Sequence, residues 1–268
     1  MIYFRPKLTA QLLLFAALTI SFNAYSQKKS DEVFISKWAS NNLEVDGKLN
    51  DWPEKLNFNE TTKLFYTISS NEKLIFVALK NAAPQELAKI FKYGISFSVN
   101  TEGKKKAETG ITFPIAQPRT VRPNPSKISD TTSSGIEMKR MREEMLARVT
   151  SIKINGFKDI MDGSISLYNT YGIKAAATFN EQNELQIELA IPLSSLGIDQ
   201  NFKDPIYYNI KVNGPQRMVM SPGRNFNSQN RGLMTNRDRI RSGRMEGPSS
   251  YKVSASTEFW IKSVLAKK

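Results

Sequence analysis

The chain of 268 residues contains no cysteine and no histidine. Without cysteine there is no disulfide, no thiol nucleophile, no thiolate metal site and no lipid-bearing cysteine anchor. Without histidine there is no Ser-His-Asp triad, no His-based zinc site and no His-ligated haem. Acid is also in short supply: 25 Asp and Glu stand against 38 Lys and Arg, for a formal charge of +13. Carboxylates, lysines and tyrosines are what remains for catalysis. Hydrophobic residues make up 40% of the chain, enough to exclude a disordered protein and to build a core without staples.

One apolar run stands out, at the start. Arg5 and Lys7 precede the stretch Leu8 to Phe22, and Ala24-Tyr25-Ser26 follows it with small residues at the positions a signal peptidase reads. This is the secretory pattern, with Gln27 as the new N-terminus. The run is shorter than the roughly 20 residues of a membrane span. The expectation is a signal peptide over 1–26 and a single domain over 27–268, exported to the periplasm, the cell surface or the medium. Losing the leader removes two positive charges and no acid, so the mature chain stays basic. Such charge suits solubility, or attraction to acidic polymers such as anionic glycans or a membrane surface. No nucleic-acid motif is present, and nucleic acid is not an expected partner.

Beyond the leader the chain alternates at period two. Leu64, Tyr66 and Ile68 share a face, Ser69-Ser70-Asn71-Glu72 turns, and Leu74 to Leu79 returns, which reads as a hairpin. Tyr93, Ile95, Phe97 and Val99 alternate, as do Ile111, Phe113 and Ile115, and Ser151 to Ile154 is a short strand. Ile173 to Phe179 and Leu185 to Ile191 make a second hairpin, in which Gln186 and Glu188 oppose the apolar face. Ile206 to Val212 and Phe259 to Leu265 complete the set. The pattern predicts an all-β antiparallel sandwich of jelly-roll or immunoglobulin-like layering, with one inserted helix and a long Arg-rich loop. Leu49, Trp52, Phe97, Leu189, Ile191, Ile210 and Phe259 are expected in one core.

Two insertions break the alternation. Residues 116–149 begin rich in Pro, Ser and Thr and turn helical, capped by Ser133 or Ser134, with Met138, Met141, Met145 and Val149 on one stripe. Such a stripe is expected to pack into the core; the alternative is a partner-binding face. Residues 213–250 carry seven arginines, from Arg217 to Arg244, against Asp238 and Glu246. A loop this long is a solvated, mobile insertion or a functional one. Guanidinium groups pair bidentately with sulfate, carboxylate or phosphate, so Arg237, Arg239, Arg241 and Arg244 are candidate ligand-binding residues.

Two motifs carry a family likeness. In Val45-Asp46-Gly47-Lys48-Leu49-Asn50-Asp51-Trp52, Asp46-Gly47 is a turn signal, and Leu49 and Trp52 are expected to plug one end of the sandwich. In Glu188-Leu189-Ala190-Ile191-Pro192-Leu193-Ser194-Ser195-Leu196-Gly197, a strand stops at Pro192 and a short helical turn closes at Gly197. In this order, with the hairpin ending Leu74-Ile75-Phe76-Val77-Ala78 and the terminal Phe259-Trp260, they resemble the family 9 carbohydrate-binding modules and their CBM9-like relatives. The resemblance covers most of 45–265. It implies an antiparallel sandwich that binds sugar between aromatic rings, often with structural calcium.

The aromatic set departs from that pattern. Trp52 belongs to the fold motif and Trp260 to the last strand, so both are expected in the core. Trp38 and Tyr171 are the candidate ligand-binding aromatics; Tyr66, Tyr168, Tyr207 and Tyr251 can also offer stacking faces. Asp46, Asp51, Glu188 and Asp199 read as turn and rim residues; no EF-hand-like spacing supports calcium, and nothing selects a catalytic pair among them. No metal ligand, cofactor or catalytic residue is assigned. The expected function is a non-catalytic carbohydrate- or glycan-binding module. The alternatives are an envelope structural or protein-interaction module using the arginine loop or Met helix, and a carboxylate-based hydrolase, which is disfavoured.

Overall fold

Alternation gives each strand one apolar face, and two sheets closing those faces on each other form a sandwich. The computed structural model describes residues 33–40, 43–52, 55–81, 83–118, 134–215 and 255–268. Thirteen strands among them, numbered in chain order, form two sheets. The first runs β1 (Val33–Ile35), β13 (Thr257–Val264), β12 (Ile206–Val212), β6 (Ile95–Asn100), β7 (Thr109–Phe113), β8 (Ser151–Asn155), β9 (Gly163–Ser166). The second runs β10 (Lys174–Phe179), β11 (Leu185–Pro192), β5 (Leu74–Asn81), β4 (Leu64–Ser70), β2 (Lys37–Trp38), with β3 (Asn57–Asn59) also paired to β4.

The protein is therefore an all-β sandwich. It is not antiparallel throughout: β1 pairs with β13 in parallel, and β2 with β4. One extended segment, 33–38, edges each sheet in turn, and that crossing rather than a hairpin sets its direction. Both predicted hairpins are present. Asn71 closes the first, its Oδ1 accepting from the Lys73 and Leu74 N–H at 2.9 and 2.8 Å. Asn180 and Asn183 close the second, with Asn183 at φ 62°, a conformation Asn tolerates.

The core lies between the sheets. Ile68, Val77, Leu79, Leu189 and Ile191 meet Phe97, Ile111, Ile154, Ile210 and Ile261 there. Tyr208 stacks on Phe97 at 5.5 Å, and burial pushes its phenol pKa up. Its hydroxyl has no partner among the described residues. The single expected core is in fact two. Trp52 lies on the other face of the second sheet, in a separate cluster with Ala39, Leu43, Phe76, Ala78 and Ala190; Leu49 packs partly buried against it. Phe259 packs on the main core, only partly buried. Trp260, expected in the core, alternates with Phe259 and Ile261 and so stands half-buried on the outer face of the first sheet.

Among the described residues there are two short α-helices, one of them the expected inserted helix. Short α1 (Leu87–Tyr93) takes in Tyr93, expected at the start of the following strand, and buries Ile90 and Phe91. It stops at Gly94, whose N–H returns to the Ile90 carbonyl at 2.7 Å. The inserted helix α2 (Ser134–Ala147) is as expected in position. Its Met stripe is not uniformly core: Val149, just past its end, is buried and Met145 packs on the core, whereas Met138 and Met141 are exposed. The C-terminal half meets the sandwich, with Arg142 over the Phe179 ring of β10 at 5.8 Å and Met145 and Leu146 packed on the core, whereas Met138 and Met141 stay exposed. No helix among the described residues is long and apolar enough to cross a membrane.

Candidate functional site

The first motif folds onto the outer face of the second sheet instead of plugging its end. Gly47 takes φ 88°, and a Cβ there would meet Thr178 Cγ2 at 2.9 Å, so the turn sits directly on β10. The Thr178 hydroxyl donates to the Gly47 carbonyl at 2.7 Å. Glu188, read from sequence as an outward rim residue, is fully buried beneath this turn. Its Oε2 accepts from the Asp46 and Gly47 N–H at 2.9 and 2.6 Å, and its Oε1 from Trp52 Nε1 at 2.5 Å. Desolvation dominates and, with a further push from nearby Asp51, outweighs the downward pull of the three N–H donors, leaving the Glu188 pKa raised to about 7. The carboxyl thus ties the motif to β11.

The other acids serve turns. Asp46 Oδ1 accepts from the Lys48 N–H at 2.7 Å, Asp51 Oδ2 from Glu44 N–H at 2.9 Å, and Asp199 Oδ1 from Asn201 N–H at 2.8 Å. No group of three or more acids that could hold a metal ion is present among the described residues.

The ligand-binding candidates are dispersed. Trp38 lies half-buried on β2, one edge of the second sheet. Tyr171 precedes β10, the other edge, four strand spacings or about 19 Å across. The two rings are not brought together. Arg237, Arg239, Arg241 and Arg244 lie outside the described residues, as does Tyr251. Tyr66 is half-buried against Phe259, with ring centroids 4.9 Å apart.

Tyr171 instead gains a neighbour in its own loop. Residues 167–173 join β9 to β10, and the Tyr168 ring there is 95% exposed, with Tyr171 also exposed. The loop is held by Asn169, whose Nδ2 donates to the Ser166 and Ile173 carbonyls at 3.0 and 2.7 Å. Its Oδ1 accepts from the Tyr171 N–H at 3.1 Å. One amide therefore fixes both ends of the loop and the residue between them, so the tyrosines are displayed on a formed support. On one side is a cleft of about 610 Å³, with Phe113, Leu146 and Ile173 inside and Asp46, Tyr168 and Lys174 offering polar groups. On the other, Tyr171 borders a cleft of about 170 Å³ with Asp159, Ser194 and Ser195.

This loop displays two exposed aromatic side chains. Sequence reasoning named both rings but missed that they belong together. The signal was the pairing of Asn169 with Gly172, a turn composition that shortens the reach between Tyr168 and Tyr171. In comparison with known proteins, no family model, no curated protein and no solved structure matches the chain.

Proposed function

We propose that the protein is an exported, non-catalytic module that binds carbohydrate, a CBM9-like sandwich using the loop 167–173 as its platform. The observation that carries this is the pair of exposed tyrosines on a loop fastened by Asn169, between two clefts with polar groups. Tyrosine presents an apolar face to a sugar ring and a hydroxyl to its substituents, at small entropic cost on a formed loop. Binding fits better than hydrolysis. The carboxyl whose pKa is raised to about 7, Glu188, is sealed under Trp52 and borders neither cleft.

The test is retention of the purified protein on immobilised polysaccharides. Tyr168→Ala and Tyr171→Ala should each weaken retention about three- to tenfold, in keeping with the 0.5–1.5 kcal/mol of an aromatic contact. The melting temperature should not change, because neither ring is in the core. Wild-type retention by both variants would sink the proposal.

A second reading rests on a different observation. Ile136, Met138 and Met141 are exposed on α2, an apolar strip of the kind that meets a protein partner. It gains ground if retention survives both tyrosine changes while replacement of the strip by serine abolishes capture of an envelope protein.

A further inference from the structure

Across the outer face of the first sheet, one row of side chains is set by strand register. Lys211 on β12 stands opposite Ser96 on β6, Ser96 opposite Thr112 on β7, and Thr112 opposite Lys153 on β8. All four point away from the core, since their neighbours Ile95, Phe97, Ile111, Ile152, Ile154 and Ile210 point into it. These four side chains line a pocket of about 520 Å³, completed by residues including Tyr93, Asn213 and Ser256. That volume falls within the roughly 300–1,000 Å³ of ligand sites.

The floor is wired so that a hydrogen-bond donor is left over. Asn213 Nδ2 donates to Ser96 Oγ at 2.8 Å, and Ser96 Oγ lies 2.8 Å from Thr112 Oγ1. Two hydroxyls share one hydrogen bond, so whichever donates within the pair, the other keeps a free O–H. No second acceptor meets it among the described residues. On either side stand the two lysines, three strand spacings or about 14 Å apart at the backbone. Their flexible stems can bring both ammonium groups over the floor. Lys153 has no ion pair among the described residues. Among those residues Lys211 has only Glu258, the next residue in the row, at 3.6 Å and with both side chains solvent-exposed in part, a contact of little strength.

Two cations flanking a hydroxyl donor, with no acid among the described lining residues, make a site for an oxyanion. Gly214 and Ser256 both line the pocket, joined by a hydrogen bond from the Gly214 N–H to Ser256 Oγ at 3.0 Å.

We infer that the pocket between Lys153 and Lys211 binds the carboxylate or sulfate of an acidic saccharide. This rests on the carbohydrate-binding reading and adds the charge class of the ligand, at a place separate from the tyrosine loop. The pocket supplies charge and a hydroxyl contact; its described lining has no tryptophan, so it selects acidic from neutral chains rather than one sugar ring from another.

The experiment is a titration of the full mature chain with an array of carboxylated and sulfated oligosaccharides, each beside its neutral counterpart. Inorganic sulfate serves as the probe for a free ion. Wild type should prefer the acidic member of each pair about tenfold at low salt, as charge-assisted contacts do. The preference should vanish near 1 M salt, where the screening length is about 3 Å. Lys153→Gln and Lys211→Gln should each cut the preference about threefold or more, with neutral binding unchanged. Glu258→Gln should raise it, because it removes the competing acid. A purely structural role for this row predicts no such gain. Acidic preference that survives both lysine changes overturns the inference and leaves the tyrosine platform untouched. Sulfate binding with no acidic saccharide bound overturns the saccharide assignment, and with it the carbohydrate reading if the neutral members are also ignored.

Discussion

The two sheets are written in the same alternating code, yet their outer faces end differently. On the second sheet the outer positions of β5 and β11 carry Phe76, Ala78 and Ala190, and Trp52 with its neighbours covers them as a second small core. On the first sheet the corresponding positions carry Ser96, Thr112, Lys153 and Lys211, and a polar pocket forms there. Alternation decides which side chains face the sandwich interior. It does not decide what becomes of the other face. That depends on whether the outer residues are small and apolar, and on whether another part of the chain is long enough to lie across them. Glu188 belongs to the covered face: an acid at an outward position became a buried anchor because the turn at Asp46-Gly47 brought N–H groups to it.

The largest effect should come from breaking the covered face. Trp52 is 7% exposed, and Trp52→Ala should cost about 3–5 kcal/mol of unfolding free energy by the usual penalty for emptying a core aromatic site. Trp260→Ala, on the half-buried outer face of the first sheet, should cost no more than about 1–2 kcal/mol, because less apolar area leaves contact. Chemical denaturation of both variants measures the difference; equal losses would erase the distinction between the faces.

Next in size is Glu188. Glu188→Gln should cost about 1–3 kcal/mol, since the amide nitrogen turns a donor toward N–H groups that need an acceptor. The pH dependence sharpens this. The folded pKa, about 7, lies above the ordinary 4.5, so the folded state holds the proton more tightly than the unfolded one. The resulting stability is fully present below about pH 4.5 and is lost as pH rises through about 7. Stability measured across that window should decline in the wild type and lose that decline in Glu188→Gln. A wild-type stability that instead climbs from pH 4.5 to 7, with no change in the variant, would mean that the three N–H donors outweigh desolvation.

The smallest effect concerns the main core that both sheets share. Tyr208 is fully buried with an unpartnered hydroxyl, so Tyr208→Phe removes a desolvated polar group at no cost in packing. The melting temperature should stay level or rise, by an amount corresponding to about 1 kcal/mol. A clear fall would reveal a hydrogen-bond partner for the phenol.

Much of the fold was legible because it rests on local rules. The two hairpins follow from alternation plus Asn-rich turns, and the stop at Pro192 with the turn closing at Gly197, φ 70°, follows from the limits of those residues. Less legible was α1, whose two turns are too short to show a period, and Trp260, for which residue type suggested core while strand parity put it outside. The Met stripe of α2 had a helical period but gave no measure of how far the helix overlaps the sandwich. Of the candidate site, the tyrosines were visible as residues; their shared loop was not, because it depends on Asn169 reaching carbonyls at both of its ends.

The sequence by itself determined the chemistry this protein lacks, its positive charge, the strands and the parity of their inward faces. These are properties of composition and of neighbours two or three residues apart, and local backbone geometry is enough to express them. Only the tertiary structure decided that Glu188 is buried, that Trp38 and Tyr171 lie on opposite edges of one sheet, and that Lys153 and Lys211 flank one pocket. Each of these depends on strand order and register between segments tens of residues apart, where the cost of closing long loops is met by the core as a whole and no local pattern records which partner is met.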